Sequence, residues 1–84
     1  MKFLIAIEPG SEHSAFGVVV PDLPGCFSAG DTLEEAAGKA REAIEAHCEV
    51  LAGDGEDLPR AAPLGEHLAD PELAGWIWAM VDVP

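Results

Sequence analysis

Basic residues are scarce in this chain of 84. Four Lys or Arg stand against sixteen Asp or Glu, for a formal net charge of −12. Nucleic-acid binding needs a Lys/Arg footprint that displaces counterions from phosphates, so direct binding by this chain is excluded. An anionic membrane surface is excluded on the same ground. Cysteine is scarce too: Cys26 and Cys48 are too few for a disulfide framework or a zinc site of the usual spacing. No apolar run approaches the ~20 residues of a membrane span. The run Phe3–Ile7 after Lys2 is cut by Glu8-Pro9-Gly10, well short of a secretory signal. These absences predict a cytoplasmic protein with reduced thiols.

What is present is a hydrophobic fraction of 49 %, enough for a packed core and too much for disorder. The length predicts a single domain over residues 1–84, with no linker and no internal repeat. An acidic balance of this size keeps a small domain dissolved and also steers it towards a basic protein.

Three β-rich stretches come first. Met1–Ile7 and Ala15–Val20 flank a turn at Glu8–His13 and predict an antiparallel hairpin. Pro21-Asp22-Leu23-Pro24-Gly25 interrupts regular structure, and Cys26–Ala29 predicts a short third strand closed by Gly30. Asp22 is placed to accept turn amides in an Asx-type bond. The period then changes. Thr32-Leu33-Glu34-Glu35 has the form of a capping box. Behind it Leu33, Ala36, Ala37, Ala40, Ile44, His47, Cys48 and Leu51 recur at three- and four-residue steps, an apolar helical stripe that Gly53 is expected to end. Glu35 and Lys39 form a correctly ordered i,i+4 pair. A loop over Gly53–Pro63 follows, then a short helix within Leu64–Leu73 and a last strand at Trp76–Val83. The expected class is α+β, order βββα(loop/short helix)β: a small, mostly antiparallel sheet with one main helix on one face.

The last strand is apolar on both alternating sets: Trp76, Trp78 and Met80 against Ile77, Ala79, Val81 and Val83. The first strand behaves alike, with Phe3, Ile5 and Ile7 opposite Leu4 and Ala6. One helix covers one face. The Ala-rich stripe favours the smaller side chains, so it is assigned to the set holding Ala79 and Ala6. Trp76, Trp78 and Met80 are then left for an interface with a second copy, in a dimer or tetramer. The alternative is that the Gly53–Ala74 segment folds over them.

No convergent polar set announces an active site. His13, His47 and His67 are each isolated, and neither cysteine is flanked by a basic residue that would activate it. Adjacent His47 and Cys48 point in different directions on a helix and make poor joint metal ligands. A Cys26–His47 pair requires the third strand to lie under the helix. No catalytic residue, metal or cofactor is assigned.

A long central motif and two later stretches carry a family resemblance. Pro21-Asp22-Leu23-Pro24-Gly25-Cys26 runs on through Ser28 to Gly30-Asp31-Thr32-Leu33-Glu34-Glu35-Ala36, with Ala40-Arg41-Glu42-Ala43-Ile44 behind it. Together with Ala69-Asp70-Pro71-Glu72-Leu73-Ala74-Gly75 and Val81-Asp82-Val83, this resembles the HicB-like antitoxins over nearly the whole chain. The resemblance implies a β-β-β-α-β partial RNase H fold, oligomer formation, and binding of a small basic RNA-cleaving toxin of the HicA type. It implies no catalytic role, because the carboxylate set of an active RNase H has no counterpart on these residues. Members of the family often continue into a ribbon-helix-helix or helix-turn-helix segment. Residues 1–84 hold no such element, so no DNA-binding domain is expected in them.

The leading expectation is an antitoxin-like module that neutralises a basic ribonuclease by covering its RNA-binding surface, with Asp22 a candidate partner contact. The alternatives are a solitary oligomeric scaffold or ligand-binding domain, and a metal-dependent nuclease using Glu8, Glu45 and Asp82.

Overall fold

The computed structural model describes residues 1–10, 15–57 and 62–84. Along these run strand β1 (Lys2–Glu8), β2 (Phe16–Val19), β3 (Phe27–Gly30), helix α1 (Leu33–Gly53), a short helix α2 (Leu64–Leu68), a 3-10 turn at Pro71–Leu73 and strand β4 (Ile77–Asp82). The strands form one sheet of order β3-β2-β1-β4 in which every neighbouring pair is antiparallel. The expected α+β order is thereby met. The turn expected at Glu8–His13 falls partly outside the described residues, His13 with it.

The β2–β3 connection follows from its composition. The Cys26 amide donates to the Leu23 carbonyl at 3.0 Å across Pro24-Gly25. Proline presets the first central φ of such a turn, and Gly25 supplies the positive second one, at 82°. The turn carries Leu23 into the core, where it is fully buried.

At the start of α1 the Thr32 hydroxyl accepts the Glu35 amide at 3.1 Å. Only this half of the expected capping box forms, because the Glu35 carboxylate turns forward to Lys39 Nζ at 3.0 Å. The helix also ends differently. Gly53 is its last helical residue, and the reversal occurs at Gly55, whose φ is +74°. The Gly55 amide bonds the Ala52 carbonyl and the Glu56 amide bonds that of Leu51, a Schellman arrangement.

Ala36, Ala40 and Ile44 are the fully buried residues of the α1 stripe. They meet Phe3, Ile5 and Ile7 of β1, Val18 of β2 and Val20 just after it, and Val81 of β4 and Val83 just after it. The smaller set of β4 therefore faces the helix as expected, but β1 reverses the assignment. Ile5 pairs with Ala79, whereas Ala6 pairs with Trp78 on the far face. The buried alanines bring α1 close enough that the larger side chains of β1 fill the space beneath it. Close approach is most evident at Gly30, where an added Cβ would lie 2.4 Å from the Ala36 backbone nitrogen.

Candidate partner-binding surface

The sheet face away from α1 is partly roofed by the chain itself. Leu4 and Ala6 lie on that face, yet are only 8 % and 0 % exposed. Leu4 shares a small cavity with Ala62, Leu64, His67 and Met80, which places the 62–68 strap over this part of the sheet. The expected alternative, a returning segment over the second face, thus holds for Leu4. Met80 remains 57 % exposed and Trp78 half-buried. Trp76 precedes β4, half-buried, with its amide bonded to the Leu73 carbonyl.

Packing alone does not explain the strap. None of the α2 residues is buried, and Leu64 and Leu68 are both more than half exposed. Its anchor is polar. Asp22 Oδ1 accepts the Ala62 amide at 3.0 Å and lies 2.8 Å from His67 Nε2. The Asp22 side chain is 7 % exposed and that of His67 15 %. Among the described residues, the carboxylate therefore bonds across 40 and 45 positions of sequence rather than within its own turn. The Asx-type bond is replaced by a long-range one. His67, read from the sequence as isolated, is the residue that sequence reasoning missed.

The exposed side of α1 is acidic. Glu34, Glu42 and Glu49 are solvent-exposed there. The two basic residues of the helix are already engaged, Lys39 with Glu35 at 3.0 Å and Arg41 with Glu45 at 3.4 Å. The helix therefore offers a net negative surface.

The residues considered for metal chemistry are not brought together. Lys2 pairs with Asp82, so Glu8 and Asp82 sit at opposite ends of the β1–β4 ladder. Six residues of extended strand separate them, about 20 Å. Glu45 is held by Arg41 on α1. Cys26 and His47 do line one shallow groove, since β3 lies against the helix, but no hydrogen bond joins them. Burial pushes the Cys26 thiol above its usual 9.0, with Cys48 adding to the effect. Burial raises Cys48 likewise. Both shifts oppose the thiolate that nucleophilic chemistry needs.

Comparison with known proteins gives a consistent picture. A family model described as "HicB_like antitoxin of bacterial toxin-antitoxin system" matches residues 3–84. An uncharacterized 14.9 kDa protein from the rep–hol intergenic region of Haemophilus phage HP1 (strain HP1c1) is 45 % identical over 83 residues, covering 99 % of this chain and 61 % of its own length. Antitoxin HicB 1 of Photorhabdus laumondii is 34 % identical over 74 residues, 88 % of this chain and 47 % of the relative. The chain thus spans less than two thirds of the length of each of these two relatives. Among solved structures, the N-terminal domain of Burkholderia pseudomallei antitoxin HicB superposes with a TM-score of 0.83 at 41 % identity, covering 100 % of this chain and 99 % of that one. A chain of the HicA3 and HicB3 toxin-antitoxin complex does so with a TM-score of 0.78 at 31 % identity, covering 100 % and 99 %.

Proposed function

Because the chain belongs to the HicB-like antitoxin family, we propose that it is the toxin-binding module of an antitoxin and neutralises a small basic ribonuclease of the HicA type. The observation that carries this reading is the full-length match to a chain of a toxin–antitoxin complex. The chemistry supports it. A ribonuclease that grips RNA needs a basic surface, and a partner with a net charge of −12 competes for that surface with the same sign of charge as RNA. Exposed Glu34, Glu42 and Glu49 supply negative charge on a rigid helix. Inhibition is then occlusion, and the antitoxin performs no bond chemistry of its own.

Asp22 contributes indirectly in this reading, by holding the strap in place rather than by meeting the toxin. The sheet face bearing Trp78 and Met80, with Trp76 beside it, joins a second copy. Two acidic modules so joined present two toxin-binding faces.

The test is co-expression with the small basic reading frame expected beside this gene, followed by affinity purification through this chain at low salt. Recovery of both products supports the reading. Two folded proteins that do not associate at low salt sink it.

A further inference from the structure

The start of α1 is pressed so tightly onto the end of β3 that Gly30 has no room for a side chain. An added Cβ would meet the Ala36 nitrogen at 2.4 Å and the Ala36 Cα at 2.8 Å. Further along, the helix and strand part. Between Cys26 and Phe27 on one side and Ala43, Ala46 and Val50 on the other lies a groove of about 360 Å³. Its lips are apolar and wet: Phe27 is 64 % exposed and Val50 63 %. Half-buried Ala43 and the buried Cys26 form its inner wall.

The strand bordering this groove is an edge, since β3 has β2 as its one neighbour in the sheet among the described residues. The direction of its free groups follows from a single bond. The Val20 amide donates to the Cys26 carbonyl at 3.2 Å. Backbone groups alternate in direction along an antiparallel strand. The C=O of Cys26, whose N–H is spent on Leu23 in the turn, and the N–H and C=O of Ser28 and Gly30 therefore face β2, and those of Phe27 and Ala29 face outward. Phe27 and Ala29 are themselves exposed. The edge carries no lysine, proline or bulge of the kind that usually guards against pairing.

Charge selects the occupant. Glu42 and Glu49 stand within one turn of Ala46 and are exposed, and Asp31 flanks the end of β3. We propose that β3 and its groove receive an extended segment of the basic toxin, which adds a fifth strand to the sheet. Its backbone pairs with Phe27 and Ala29. An apolar side chain enters the groove beneath Ala46 and Val50, and flanking Lys or Arg residues meet Glu42, Glu49 and Asp31. Main-chain pairing supplies affinity in such strand addition, and the groove supplies selection by alternate side chains. A second copy of this chain fits less well, because it would bring the same acids against these ones. The proposal rests on the antitoxin reading and specifies where the toxin docks.

Amide hydrogen exchange decides it, measured on the free chain and on its complex with the co-purified toxin. Phe27 and Ala29 amides should exchange freely in the unbound chain and slow by about 100-fold or more in the complex. Ala29→Pro removes one outward donor while leaving the β2 ladder intact, and should weaken toxin binding by about tenfold. Near-UV circular dichroism checks that this variant folds. A toxin complex with unchanged Phe27 and Ala29 exchange overturns the docking site and leaves the antitoxin reading standing. Protection of the same amides in the free chain, growing with concentration, assigns the edge to a second copy and overturns it too. Absence of any complex removes both readings together.

Discussion

Asp22 Oδ1 and His67 Nε2 lie 2.8 Å apart, with both side chains largely shielded from water, although 45 residues separate them in sequence. With the Ala62 amide also on Asp22 Oδ1, this pair joins the β2–β3 connection to the strap over the far side of the sheet. Asp22→Ala strands a shielded amide and a shielded imidazole nitrogen, so it should cost about 1–3 kcal/mol. His67→Ala, which leaves the Ala62 bond in place, should cost less. Thermal melts measure the loss. Exchange at residues 62–68 should accelerate more than exchange in β1, and uniform acceleration would show that the pair supports the whole fold rather than the strap.

Two glycines predict opposite outcomes for the same substitution. Gly30→Ala drives a Cβ into the backbone of Ala36 and should destabilise the protein by about 1–3 kcal/mol. Gly38 lies within α1 with nothing within 4 Å of an added Cβ. Gly38→Ala should stabilise by about 0.5–1 kcal/mol through helix propensity. Urea midpoints of the two variants check the pair, and a stabilised Gly30→Ala would contradict the close helix–strand contact.

The helix stripe and the succession of four strands along the chain were legible because period and turn chemistry are local. Ala36, Ala40 and Ile44 report a buried helical face without outside help. Local signals failed where two solutions satisfy them equally. Gly53 and Gly55 are both good helix stops, and the φ of +74° at Gly55 is decided by the carbonyls it must satisfy. On β1 both alternating sets are apolar, so pattern alone could not say that Phe3, Ile5 and Ile7 face the helix. The Asp22–His67 pair was invisible for a different reason. One carboxylate and one imidazole far apart carry no period, and only the sheet order brings their segments together.

The thiols predict an alkaline limit to stability. Burial raises Cys26 above 9.0 in the folded chain, and Cys48 in the same direction. A raised thiol pKa leaves stability intact below the unfolded value and removes it as pH climbs through the folded one. Unfolding free energy should therefore fall above about pH 9, and Cys26→Ser should flatten that fall. Iodoacetamide at pH 8 should label the folded chain far more slowly than the urea-unfolded chain. Equal rates would contradict the burial of Cys26.

Self-association and toxin binding should respond to salt with opposite signs. Two subunits of net charge −12 repel, so added salt should strengthen a dimer held through Trp78 and Met80. Burying one such large side chain contributes roughly 1.5–3 kcal/mol. Analytical ultracentrifugation should find a wild-type dimer at micromolar concentration and a weaker one for Trp78→Ala. A wild-type monomer refutes the interface, and an unchanged Trp78→Ala dimer moves it to another face.

RNA cleavage by the purified toxin, titrated with this chain, measures neutralisation most directly. Stoichiometric addition at low salt should abolish cleavage, and activity should return as salt screens the attraction between acidic antitoxin and basic toxin. Cleavage that continues undiminished while the two proteins form a complex would contradict neutralisation by occlusion.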